Sequence, residues 1–402
     1  MRAIGELNPP QRILLAPGPS LVDSRVYRAL LAPVLGHLDP EFLRIMEEVQ
    51  ELLRRLFQTS NRLTFPVSGT GSAGMETAIA NLIEPGDEAL VCVGGHFAAR
   101  MAEMAERAGA RLVRIESRPG TPVDPEQARA AARGKKLKLI GIVHGETSTG
   151  VLQDVAPYRE LADDCGAFLV VDTVATLGGM PVAVDRQRID ICFAASQKCL
   201  SAPPGLAPFT ASPAVEDYLA RRQSRMTSWY FDLTTIMKYW GPERTYHHTA
   251  PVTMVYALHE ALRLVDEETL PVRWERHQRN QQALVAGLEA LGLGLLVEPA
   301  HRMWTVLAVK VPGGIDAGKV RLHLLEEFNI EIAGGLGELK GKIWRIGLMG
   351  NSSTRNNVLL FLAALEKILL EEGFASRGGA GAGVAAAEQV YLQTPAPAGE
   401  PV

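Results

Sequence analysis

Hydrophobic positions in this chain change their period from segment to segment, and those changes mark out the elements. In "PEFLRIMEEVQELLRRLFQ" (40–58), Phe42, Ile45, Met46, Val49, Leu52, Leu53 and Leu56 recur every three or four residues, the stripe of an amphipathic helix. Short apolar runs then alternate with helical patterns. "RLTFPV", "EALVCV", "KLKLIGIV", "AFLVVD" and "IDICFAAS" read as strands; "AGMETAIANLI", "FAARMAEMAERAG" and "YRELADDCG" read as helices. The strands are apolar almost throughout, not at every second position. A strand needs that only when both its faces are covered, so the pattern predicts an α/β fold, a doubly wound and mainly parallel sheet over 25–265. Past "VYALHEALRLVDEE" come a long helix (275–291), the strands "TVLAVKV", "IEIAG" and "KIWRIGL", and a last helix (354–371). They predict a smaller α+β C-terminal domain over 266–373. Residues 1–24, rich in Pro and Gly, are expected to form an extended arm. Residues 374–402, which include "SRGGAGAGVAAAEQVYLQTPAPAGEPV", show no core pattern and are expected to be a disordered tail.

Composition narrows the class. A chain of 402 residues, 47% hydrophobic and 21% charged, can bury the core these elements require. A net charge of −4 without a long Lys/Arg run argues against a nucleic-acid surface. No apolar run reaches the ~18 residues of a membrane span, and the first residues lack the apolar stretch of a leader. A soluble cytoplasmic protein is expected. Cys92, Cys165, Cys192 and Cys199 form no CxxC pair and read as buried thiols of a reducing compartment. His247 and His248 have no carboxylate or cysteine at ligand spacing, so no metal is expected.

Candidate chemistry gathers at strand ends. "SGTGSAG" (68–74) joins a strand to a helix and contains Gly69-x-Gly71-x-x-Gly74, the letters of a dinucleotide fingerprint. That reading needs an acidic residue closing the next strand, and "EALVCVGG" closes in Gly94-Gly95. A Gly-rich loop opening a helix still suits a phosphate, with the Thr70 and Ser72 hydroxyls as added donors. Asp172 closes "FLVVD" and Lys198 follows the next apolar run, while "GGHF" (94–97) and "HGETSTG" (144–150) end two other strands. Carboxyl ends of parallel strands share one crevice. A phosphate cradle, the aromatic Phe97, a carboxylate and a lysine on one rim are what pyridoxal 5′-phosphate requires: Lys198 for the aldehyde, Asp172 for the ring nitrogen, Phe97 for the ring face.

Eight segments in order, "LLAPGPS", "SGTGSAGMETAIANLIEPGD", "HGETSTGVLQ", "VVDTVATLGGMPVAVDRQRID", "SQKCLSAPPG", "YHHTAPV", "EIAGGLG" and "WRIGLMG", resemble the class V aminotransferases of PLP fold-type I. Within that family the alanine–glyoxylate and serine–pyruvate group is most similar, over about residues 12 to 371. The resemblance implies that Lys198 is the Schiff-base lysine and Asp172 the partner of the ring nitrogen. It implies cofactor contacts from Thr70, Gly71, Ser72, Phe97, Thr147, Val174 and Gln197. It implies that Tyr246 and Thr249 reach the phosphate of the other subunit of a homodimer, and that Arg345 grips the substrate carboxylate beside Gly18. Phe97 stands where tryptophan is common, Ser72 where the animal enzymes have histidine, and Thr147 where serine is usual.

The implied reaction moves an amino group from alanine or serine to glyoxylate or pyruvate. A related transaminase using pyridoxamine or another amine, and a lyase of the same fold, are the alternatives. A desulfurase would need a reactive cysteine in the C-terminal half, and no cysteine follows Cys199. A non-catalytic cofactor-binding protein would have no use for Lys198, Asp172 and Arg345 together.

Overall fold

The computed structural model describes residues 4–374, 377–394 and 396. Its main sheet has seven strands: β1 (Leu63–Ser68), β2 (Glu88–Val93), β3 (Arg111–Glu116), β4 (Leu137–Val143), β5 (Phe168–Asp172), β6 (Ile191–Phe193) and β7 (Leu206–Ala211). They lie in the order β1-β7-β6-β5-β4-β2-β3. Only β7 runs against its neighbours; the other pairings are parallel. Leu139 and Ile140 are adjacent in β4, so they face opposite sides of the sheet, and both are fully buried. That is the double coverage expected of continuous apolar strands. Helices Gly71–Leu82, His96–Arg107 and Ala156–Cys165 pack against the sheet.

Two strands escape the hydrophobic pattern. β3 is an edge strand and carries Arg111, Arg114 and Glu116, as exposed edges do. β7 contains Pro208 and small residues. Strand β6 is also shorter than "IDICFAAS" suggests. It ends at Phe193, and the chain leaves the sheet after Ala194 and Ser196 donate to Pro208 O and Leu206 O of β7. The turn that follows carries Lys198.

A second hydrophobic core, which includes Leu284, Leu288, Trp344, Phe361 and Leu365, packs around three antiparallel strands. These are β8 (Val306–Lys310), β9 (Ala333–Gly334) and β10 (Ile343–Gly347), in the order β8-β10-β9. The N-terminal arm is extended but not free. Ile13–Leu14 pairs in parallel with Ile330–Glu331, and Leu15 is fully buried in this second core.

The expectation of a disordered tail over 374–402 is overturned within the described residues. Ala382–Gln393 forms a helix against the helices Leu270–Ala290 and Arg355–Glu371. Its Val384, Ala387 and Tyr391 recur at helical spacing, and the Tyr391 hydroxyl donates to Asn280 Oδ1 at 2.8 Å. The Gly and Ala content that reads as low complexity serves close packing. A Cβ on Gly287 would come within 2.8 Å of the Gly383 carbonyl. Residues 375–376, 395 and 397–402 lie outside the described set.

Candidate active site

The carboxyl ends of β1, β2, β4, β5 and β6 open on one cavity of about 250 Å³. Nine of the residues singled out in the sequence line it: Thr70, Gly71, Ser72, Phe97, Thr147, Asp172, Val174, Gln197 and Lys198. Asp172 closes β5 and is 4% exposed. One of its oxygens accepts from Val174 N at 2.8 Å. Burial pushes its carboxyl up to about 7; repulsion from Glu146 adds to this, against the Val174 bond and the attraction of Lys198 and Arg100. Burial moves the Lys198 amine the other way, down to about 8, helped by the positive charge of Arg345. A lysine so placed is partly neutral near physiological pH, which an amine nucleophile needs.

The helix Gly71–Leu82 starts at the cavity wall. Its first N–H groups have no acceptor in the helix, and the Thr70 side chain does not cap them. A Cβ on Gly71 would lie 2.9 Å from Val174 Cγ2, so only glycine keeps the backbone open there without displacing Val174. Phe97 opens a second helix, His96–Arg107, whose start is fixed by a buried carboxylate. Glu146 accepts from Phe97 N and Ala98 N at 3.1 Å each, and from Ser148 N at 3.1 Å. His144 lies behind this wall. Its Nδ1 bonds Thr176 Oγ1 at 2.9 Å, and burial lowers its pKa to about 4, so the ring is neutral.

Four predicted residues do not line the cavity. Gly18, at φ +91°, abuts the lysine: a Cβ there would be 2.5 Å from Lys198 Cδ and 2.7 Å from Nζ. The Lys198 amine donates to the neighbouring Pro17 carbonyl. Arg345, on β10, is 8% exposed and joins the site through main chain, donating to Gly334 O at 2.7 Å and Thr147 O at 3.0 Å. Tyr246 and Thr249 are exposed; the Tyr246 ring is 5.1 Å from that of His37, and the adjoining His248 bonds Ser68 Oγ, just before the Gly-rich loop, at 2.7 Å.

Two charged residues at the site, Arg100 and Glu146, were not found by sequence reasoning. Arg100 lines the cavity and donates to Ser72 Oγ at 2.8 Å. Its signal was its position, one helical turn after Phe97. Glu146 sits in the quoted "HGET", but nothing local marks it as the cap of a helix fifty residues upstream in the chain.

Comparison with known proteins identifies the family. The class-V aminotransferase family model matches residues 24–357. The chain is 43% identical to the (S)-ureidoglycine–glyoxylate transaminase of Bacillus subtilis strain 168, over 96% of this chain and 97% of that one. It is 41% identical to the alanine–glyoxylate aminotransferase of Callithrix jacchus, over 90% of this chain and 89% of that one. The crystal structure of ureidoglycine–glyoxylate aminotransferase from Bacillus subtilis superposes with a TM-score of 0.94 at 44% identity, covering 96% of this chain and all of the other.

The lining also fits pyridoxal 5′-phosphate on its own terms. Gln197 Oε1 is buried with no hydrogen-bond partner among the described residues. A buried carboxylate faces the cavity with no cation of the described residues bonded to it, and a helix start offers N–H groups beside two hydroxyls. The family match over most of the chain and the agreement of site and cofactor lead to one conclusion: this protein belongs to the class-V aminotransferases and works with pyridoxal 5′-phosphate.

Proposed function

We propose that this aminotransferase takes its amino group from a small L-amino acid, alanine or serine, and delivers it to glyoxylate or pyruvate, as a cytoplasmic homodimer with shared sites. The observation that carries the substrate reading is Arg345. It is buried, no carboxylate of the described residues pairs with it, and main-chain carbonyls hold two of its nitrogens. Such a guanidinium is oriented for one incoming carboxylate. The ureidoglycine–glyoxylate and alanine–glyoxylate relatives share glyoxylate and differ in the donor, which favours glyoxylate as acceptor and makes (S)-ureidoglycine the rival donor.

When bound, pyridoxal 5′-phosphate supplies an aldehyde carbon for amine exchange and a conjugated ring that accepts the electron pair left at the substrate Cα. The residues supply the rest. Lys198, freed by the incoming amine, would take the Cα proton and return it to the former aldehyde carbon, two bonds away across the nitrogen. Asp172, ionised once a cation is beside it, keeps a proton on the ring nitrogen. Phe97 and Val174 would hold the ring, and Arg345 would fix the substrate carboxylate. Gly18 leaves room beside the amine.

The dimer reading is supported by Tyr246 and Thr249, which are exposed and do not line their own cavity. They lie on a surface with exposed Trp229 and Tyr230, where Trp229 stacks on His247 at 4.4 Å. All four cysteines are free thiols, in keeping with a reducing compartment. Among the described residues no helix is long and apolar enough to cross a membrane.

A donor panel run with glyoxylate and with pyruvate tests the substrate reading. Alanine or serine should lead, and Arg345→Ala should cost about a hundredfold in kcat/KM for every α-amino acid. Preference for aspartate, glutamate, (S)-ureidoglycine or an amine without an α-carboxylate would overturn it. Mixing inactive Lys198→Ala chains with Tyr246→Phe/Thr249→Ala chains tests the shared site: subunit exchange should restore activity, because one site of each mixed dimer is intact.

A further inference from the structure

The cavity lining contains three charged side chains: Lys198, Asp172 and Arg100. The first two have roles in the chemistry. Arg100 has none so far, and its placement is unusual for a surface-helix arginine. Among the described residues no carboxylate forms an ion pair with it; Glu103, one turn on, pairs with Arg107 instead. Its guanidinium carbon lies 5.0 Å from the Phe97 ring centroid, over the ring. From there Nη1 donates to Ser72 Oγ at 2.8 Å. An aromatic face and a hydroxyl thus steer an unpaired cation toward the start of the Gly71–Leu82 helix.

Charge balance says what the cation is for. A phosphate monoester carries close to two negative charges at neutral pH. The helix start offers a partial charge of roughly +0.5. Lys198 is engaged by the aldehyde and Asp172 by the ring nitrogen, so neither neutralises the phosphate. We propose that Arg100 is a cofactor-binding residue that reads the phosphate group, holding it together with Ser72 and the helix start. This rests on the cofactor reading above and assigns to a residue of this chain the positive charge the phosphate requires.

The test is a binding measurement on cofactor-stripped protein. Dissociation constants for pyridoxal 5′-phosphate and for unphosphorylated pyridoxal are measured with wild type, Arg100→Gln and Arg100→Lys. Arg100→Gln should weaken the phosphorylated compound about 10- to 100-fold, the loss expected for a charge-assisted contact, while pyridoxal changes less than about twofold. Arg100→Lys should recover most of the loss. Added salt should weaken phosphate-dependent binding more in wild type than in Arg100→Gln. The proposal is overturned if Arg100→Gln binds pyridoxal 5′-phosphate within about twofold of wild type. It is equally overturned if both compounds weaken together, which would mean that Arg100 acts through the Phe97 ring. A wild-type protein that binds neither compound would instead overturn the cofactor reading itself.

Discussion

Glu268, Arg273 and Arg276 are buried about as deeply as Asp172, yet the two sets of charges are completed differently. Glu268 accepts from Arg273 Nη1 and from Arg276, through Nε at 2.6 Å and Nη2 at 3.0 Å. Four further arginine N–H groups donate to carbonyls: Gly178 at 3.0 Å, Cys199, Gly350 at 3.0 Å and Ser353 at 2.6 Å. Beside them His277 is neutral, with Nε2 accepting from Gly350 N at 2.9 Å. Burial pushes the Glu268 carboxyl up, but the two arginines outweigh it and hold its pKa below the ordinary value. In the cavity the balance falls the other way. Asp172 and Lys198 have their charged forms disfavoured, because burial removes their water and, among the described residues, no ion-pair partner is bonded to either. A satisfied cluster builds structure; an unsatisfied one stores binding energy.

Single substitutions separate the two. Lys198→Ala should have the largest effect and confine it to function, lowering transamination by roughly 10,000-fold or more with an unchanged circular dichroism spectrum. Glu268→Gln should do the reverse. It leaves two buried arginines uncompensated and should cost about 3–5 kcal/mol in urea unfolding. Near-normal stability would mean the cluster is no stronger than a surface pair.

Asp172→Asn sharpens the contrast because it should act in both directions. Turnover should fall roughly a hundredfold, since an amide cannot keep the ring nitrogen protonated. Without cofactor the substitution should stabilise. The folded-state pKa of Asp172 lies near 7, above its ordinary 3.8. Unfolded chains therefore release this proton first as pH rises, and wild type loses stability between those two values. The variant escapes that loss, so its advantage should be absent near pH 3.5 and reach about 1–4 kcal/mol above pH 7. A pH-independent difference would refute the buried-carboxylate account. The smallest effect is expected from Tyr391→Phe. It removes one hydrogen bond linking the last helix to Asn280, at a cost of about 1 kcal/mol, with kcat unchanged.

The sheet was legible in the chain because burial on both faces leaves an unbroken apolar run, and the site was legible because the sheet delivers strand ends to one crevice. Lys198, Asp172 and the 68–74 loop needed no more than that. What escaped was information carried between distant segments. Glu146 caps a helix that precedes it in the chain, and Arg100 matters only because Ser72 lies opposite. The last helix escaped for a different reason: its glycines and alanines look featureless until the surface they nest into, at Gly287, is known. Edge strand β3 was hidden by charges that protect it from other edges.

The arm at the start of the chain imposes a timetable. Ile13 and Leu14 find their partners only at Ile330 and Glu331, and the same arm then runs past the lysine, where Ser20 donates to the carbonyl of Lys198 at 2.6 Å. At ribosomal rates of about 5–20 residues per second, the first segment made waits roughly 15–60 s for its partner to be synthesised. Until then the wall formed by Pro17 and Gly18 has no anchor on the second core. Nascent or truncated chains ending before Ile330 would therefore present the main sheet with its lysine turn unshielded, and catalytic competence would arrive as one of the last events of biosynthesis.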